Sequence, residues 1–379
     1  MFSTSANLQA VVGDFRIKDM MRYSQFVPRL YNLCKSLGFE AGNIMPSRAF
    51  CSDENQGYPI ILITKHFGTF PFNHGMVGGI VATDRHRPHA HHGKDLVIIQ
   101  ASHVGYDPDT RTFGTYRRIQ TADDESTVTC GKVGAVIDWY QGEYRFAQDN
   151  IYLSREGDDY LITIDNQLLN ESREEGLFLN LDAMVKCDGG NPVPVQMHST
   201  SRSYRACSGF TKALPAHAWP DNDRAKIGRY LGPDLFSFRR IIDGDIEGRG
   251  HLEQNLINPM PWIVTSAEPM LVAAKVNTQA EFDRAFRTIV REKEYRNKNV
   301  LFISCINIDI SPREGQLFPL TKCVPWAACI QGVDGEHRTL EQAEIVALLK
   351  EQSTENPDQI DLEDAILEME KAKEIRIEV

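Results

Sequence analysis

The chain has 379 residues, 42% of them hydrophobic, enough for one large core or two ordinary ones, so two domains are expected. With 52 acidic against 41 basic residues its formal net charge is −11, which argues against nucleic acid as a partner, because phosphate binding needs a concentrated basic face. Eight cysteines are too sparse for a disulfide scaffold, no stretch approaches the roughly 18 consecutive apolar residues of a membrane span, and no secretory signal pattern is visible, so reduced thiols in a cytoplasmic protein with no membrane partner are expected, an organellar address being left open.

Apolar positions Met20, Met21, Phe26, Leu30 and Leu33 recur at helical spacing over 17–37, and Gly38 is placed to cap that helix. Residues 49–53 read as a short strand or strand end, since Cys51 is followed at once by Ser52, Asp53 and Glu54. The run 59–65 (PIILITK) predicts a buried strand. A glycine-rich passage follows, with Gly68, Gly75, Gly78 and Gly79 permitting close backbone approach. Residues 95–102 (DLVIIQAS) predict a strand covered on both faces, with His103 at its C-terminal end, where open α/β sheets place their ligands. Residues 131–140 predict a helix that starts directly after Cys130; a thiol there has its thiolate favoured by the helix dipole and the free N–H groups.

Pro215, Pro220, Pro233, Pro259 and Pro261 then mark a loop-rich passage. Residues 271–276, 279–293 and 300–310 predict strand, helix and strand, and amphipathic helices are expected at 339–349 and 361–372. The organisation expected is one domain at 1–215 and a C-terminal α/β module at 216–379 without an assigned role.

Cys51, His103 and Cys130 offer two thiolates and one imidazole, a ligand set for a single zinc ion. Three protein ligands leave a fourth tetrahedral position for water, which separates catalytic from structural zinc. No local C-x-x-C motif joins them, and free cysteine is commonly a buried core residue, so packing stands as the rival reading. Asp53 is either a fourth ligand or an orienting carboxylate, or else a solvated turn or cap residue. Pro88 denies helical spacing to the tract His86, His89, His91 and His92, which reads as an exposed loop; His91 and His92 are candidate proton carriers. Cys34, Cys305, Cys323 and Cys329 read as packing. Cys187, followed by Asp188, Gly189 and Gly190, imitates the Cys51 signature and rivals Cys130 for the second thiolate. No G-x-S-x-G elbow, P-loop or dinucleotide fingerprint is present.

The ordered set Cys51-x-Asp53-Glu54, Ser102-His103-Val104 and Ser126-Thr127-x-x-Cys130-Gly131, with Phe67-Gly68 and the His91-His92 pair, resembles the limiting-CO2-inducible protein B/C family, the theta-type carbonic anhydrases. The likeness covers roughly residues 15–190, counting 158–169 as the family's acidic helix after the catalytic segment. It implies a mostly parallel α/β sheet flanked by helices, similar to beta-type carbonic anhydrases, and a homodimer with its sites near the subunit interface. It further implies that Cys51, His103 and Cys130 hold one zinc ion per chain, and that Asp53 gates the metal or orients its hydroxide. One departure stands out: family members carry an arginine near this aspartate, where this chain has Ser52 and Asn55. Arg48, Arg117 and Arg118 are the candidate substitutes. The function expected is reversible hydration of carbon dioxide to bicarbonate, with Phe67, Gly68, Phe70 and Phe72 lining the substrate pocket. The alternatives are a zinc hydrolase acting on a small amide or thioester, and a catalytically inactive regulatory or scaffold protein.

Overall fold

The strand Asp95–Asp107 is buried along almost its whole length because its two faces meet two different cores. Val97, Ile99 and Ala101 point into one cluster, and Leu96 and Ile98 into another. Period-two alternation with apolar residues at both parities is what a doubly covered strand requires. The computed structural model describes residues 13, 15–81, 94–117, 126–215, 224–242, 249–316 and 319–371. Its contacts divide the chain into two compact units, Gly13–Cys130 with Ala274–Val379, and Gly131–Ala273.

The first unit is built from β1 (Met21–Arg22), α1 (Tyr23–Ser36), β2 (Ile44–Ala49), α2 (Gly57–Phe67), β3 (Phe72–Asn73) and β4 (Asp95–Asp107). The later part of the chain adds α3 (Pro269–Ile289, in this unit from Ala274), β5 (Val300–Ile310), β6 (Leu320–Gln331), β7 (His337–Leu340), α4 (Gln342–Glu351) and α5 (Leu362–Lys371). An eight-stranded sheet runs β1-β6-β5-β4-β2-β3, with β7 on β6 and Thr112–Phe113 on β4. The block β5-β4-β2-β3 is parallel and the β6 edge antiparallel, an α/β sheet flanked by helices as the sequence leads one to expect. Helices α1, α2 and α4 cover one face with Phe26, Leu30, Ile63 and Ile345. Helix α3 covers the other, where Phe282 stacks on Phe302 with ring centroids 5.4 Å apart. Each such fully buried side chain contributes roughly 1.5–3 kcal/mol of transfer free energy.

The second unit carries the helix Gly131–Asp149 and a five-stranded antiparallel sheet in the order Pro194–Met197, Ser201–Arg205, Asp159–Asp165, Ile151–Glu156, Ala225–Lys226. Tyr140 donates to Glu253 (2.7 Å), which also pairs with Arg240 (2.9 Å). Among the described residues, no helix is long and apolar enough to cross a membrane.

Four expectations are corrected. The two compact units are not the segments 1–215 and 216–379, and the C-terminal stretch is not an appended module: β5 pairs in parallel with β4 inside the main sheet. Residues 59–65 form helix α2, since Pro59 is tolerated in a first turn and Gly68 ends the helix in the left-handed conformation (φ +71°). Residues 271–276 and 279–289 are one helix, with Ala273, Ala274, Asn277, Thr278, Glu281, Phe282 and Ala285 buried at helical spacing. The acidic stretch at 158–169 is not a helix but the strand Asp159–Asp165, paired with Ile151–Glu156.

Candidate metal centre

Three segments of the first unit converge on one buried spot. Strand β2 ends at Ala49, and Cys51 lies two residues beyond it, buried. The turn Val77–Gly79 closes over it: Gly78 (φ +69°) turns its N–H onto Cys51 Sγ at 3.2 Å. Gly79 (φ +78°) rests so close to the Ala101 carbonyl that no Cβ fits there. These two glycines are therefore required by geometry. His103 sits within β4 rather than at its end, four residues before Asp107, opposite Asn307 of β5. Cys130 directly precedes the helix Gly131–Asp149, as expected, and is fixed by Thr129, whose N–H and hydroxyl both donate to the Gly114 carbonyl.

Cys51 Sγ and Cys130 Sγ are 4.0 Å apart, and one ligand atom from each of Cys51, His103 and Cys130 lies within 4.8 Å of the others. Two zinc–sulfur bonds of about 2.3 Å at a tetrahedral angle separate their sulfurs by about 3.8 Å, so the spacing suits that ion. His103 Nδ1 bonds Asp309 Oδ2 at 3.0 Å, while its Nε2 is buried with no hydrogen-bond partner. A buried nitrogen beside two sulfurs, all three as donors, is a set that zinc satisfies.

The titrating groups of the cluster are strongly coupled. The Cys130 thiol holds the Cys51 pKa well below the thiol range, with His103 and the Gly78 N–H helping against burial. Cys130 is pushed up, chiefly by Cys51 and then by burial, because ionising one of two adjacent thiols disfavours ionising the other. Burial opposes charge on His103, yet its contacts with Cys130, Asp309 and Cys51 outweigh it and raise its pKa well above the imidazole range. A metal ion bound here would displace protons, as thiolate and imidazole ligation requires. The Asp53 carboxyl is pushed up to about 7, by burial first and then by hydrogen bonding with Glu54, with His103 acting in the opposite direction.

Asp53 stands outside the three-residue cluster, and its side chain does not cap the turn Glu54–Gln56 that it precedes. Among the described residues, the groups that shift its pKa besides burial are Glu54, His103 and Cys51. Arg48 is half-buried beside His74 instead, and the Arg117 backbone N–H bonds Ser311 Oγ at 3.0 Å. Arg118, His91 and His92 lie outside the described residues.

The residues expected to line a substrate pocket differ in exposure. Because 59–65 is helical, Phe67 turns into the core against Tyr31 (centroids 5.3 Å), and Gly68 is the helix cap. Phe70 is 78% exposed and Phe72 41%. Cys187 is exposed in the other unit, hydrogen-bonded to Asp182, and takes no part in the cluster. Cys34, Cys305, Cys323 and Cys329 are buried in helix or sheet, in keeping with packing. Sequence reasoning missed Asp309. The available signal was a set of polar residues, Ser304, Asn307 and Asp309, inside an otherwise apolar strand.

No protein-family model matches the chain, and a search of curated proteins finds no match. Among solved structures it is similar to PtLCIB4, a homolog of the limiting CO2-inducible protein LCIB, at 13% identity and TM-score 0.49, covering 88% of this chain and 99% of that one. It is also similar to the limiting CO2-inducible protein LCIB, at 13% identity and TM-score 0.44, covering 86% of this chain and 96% of that one. The metal centre rests on Cys51, His103 and Cys130 themselves.

Proposed function

We propose that this chain interconverts carbon dioxide and bicarbonate, with Cys51, His103 and Cys130 holding one zinc ion. The observation that carries the reading is the buried donor set: two sulfurs 4.0 Å apart and an imidazole nitrogen with no other hydrogen-bond partner. When bound, zinc supplies Lewis acidity and brings the pKa of a water at the open position to about 7. The chain's own residues bind and orient. Cys51 and Cys130 would hold the ion as thiolates and His103 as an imidazole ligand. Asp53, two residues from Cys51 and outside the ligand set, would accept a hydrogen bond from a water at the site and orient it. We also infer a homodimer, a reading supported by the exposed Phe70 and Phe72 at the β3 edge of the sheet.

One observation favours a second reading, a zinc-bearing but inactive regulatory protein. Besides burial, the groups that shift the Asp53 pKa are Glu54, His103 and Cys51, where the resemblance leads one to expect an arginine. Zinc analysis with stopped-flow hydration of carbon dioxide decides between them. About one zinc per chain with catalysed hydration supports the anhydrase; one zinc without hydration supports the inactive protein, and no zinc removes both.

A further inference from the structure

We propose that Asp309 is a positioning residue that fixes the ring orientation and tautomer of His103 for metal binding, an inference that rests on the metal-centre reading. Strands β4 and β5 pair in parallel with His103 opposite Asn307, so Asp309, two residues on, presents its carboxylate on the same face. Its Oδ2 meets His103 Nδ1 at 3.0 Å, and both side chains are 0% exposed. A carboxylate only accepts, so Nδ1 carries the hydrogen and Nε2 becomes the ligand atom toward Cys51 and Cys130.

The carboxylate is itself held on every side. Gln56 Nε2 donates to Oδ2 at 2.9 Å and Thr321 Oγ1 to Oδ1 at 3.0 Å. Gln56 Oε1 accepts from Asn307 Nδ2 (2.7 Å), and Asn307 Oδ1 accepts from the Tyr23 hydroxyl (2.7 Å). Gln56 closes the turn that begins just after Cys51, so one carboxylate ties the imidazole to the segment carrying the first thiolate. An apolar residue at this sheet position would fold at lower desolvation cost, which makes a purely structural role a poor account of a buried acid. Partners of this kind set the basicity and direction of ligating histidines, and their loss weakens metal binding about 10–100-fold.

Zinc affinity is measured by chelator competition on the full chain, for the wild type, Asp309→Asn and Cys130→Ser, with thermal melting of each metal-free protein alongside. Asp309→Asn is expected to bind zinc about 10–100-fold more weakly, beyond any loss that its melting explains, and Cys130→Ser to lose zinc. Loss in Cys130→Ser with wild-type affinity in Asp309→Asn overturns this inference alone. Retention in both overturns the metal centre with it. Should Asp309→Asn fail to fold, 15N-histidine spectra of the zinc-loaded wild type decide: a proton on His103 Nδ1 supports the assignment, and one on Nε2 overturns it.

Discussion

Cys51 Sγ stands 4.0 Å from Cys130 Sγ, although 79 positions separate the two residues along the chain. That is twice the length of a disulfide bond and close to the separation of two sulfurs on one tetrahedral cation. Replacing Cys130 by serine exchanges a soft thiolate for a hydroxyl that stays protonated at neutral pH. Zinc content by elemental analysis should fall from about one per chain to near zero in Cys130→Ser. Cys187→Ser should keep it, because that thiol is exposed and bonded to Asp182. Equal zinc in the two variants would remove the basis of the proposal.

Because the proposed ligands come from three separated segments, binding of a metal ion would be coupled to the folding of this unit. A ligand at 100 times its dissociation constant stabilises the folded state by about 2.7 kcal/mol. Removing the ion with a chelator should lower the melting temperature by several degrees in calorimetry, and restoring zinc should return it. An unchanged melting temperature would mean that the cluster holds no ion tightly.

How much of this could be read from residues alone depended on where the pattern was local. The run at 95–102 announced its strand because β-branched residues faced two cores, and Cys130 announced itself by standing just before a helix. At 59–65 four consecutive apolar residues, Ile60 to Ile63, hid the helical period; only Ile63 and Pro59 among the apolar positions there are fully covered. Pro233 and Pro261 stand in the first turns of short helices, and the second unit continues past them to Ala273, so these prolines do not mark a boundary. Asp309 was illegible for a different reason. Its partner His103 is 206 residues away, and no local period encodes which distant strands pair in parallel.

The turn over the metal centre admits a sharp test of packing. A methyl group on Gly79 would collide with the Ala101 carbonyl and crowd the Ser102 Cα, on backbone that already has φ +78°. Gly38 has a similar φ of +90° but nothing within 4 Å of the same position. Left-handed backbone costs a non-glycine residue roughly 1–2 kcal/mol, and overpacking adds about 1–3 kcal/mol. Gly79→Ala should therefore destabilise by about 3 kcal/mol or more in urea melts and weaken zinc binding, since Gly78 carries the N–H on Cys51. Gly38→Ala should lose no more than about 2 kcal/mol and keep its zinc. Equal losses in the two variants would show that close approach to β4 does not matter.

His74 should make the fold acid-sensitive. Its ring is buried, with Nδ1 against Ser47 Oγ at 2.7 Å, and burial followed by the Arg48 charge pushes its pKa down to about 3, against a slight opposing effect from Phe72. In the unfolded chain the same group titrates near 6.5. Between those values the unfolded state takes up a proton that the folded state refuses, so stability rises with pH across the window. The contribution is complete above about pH 6.5 and is lost as pH falls toward about 3, with a slope of at most about 1.4 kcal/mol per pH unit. Urea unfolding from pH 7 to 4 should thus show a steeper decline for the wild type than for His74→Gln, which has no proton to gain. Other titrating groups are common to both proteins and cancel in the difference. Parallel declines would show that His74 takes up its proton equally well in the folded and unfolded states.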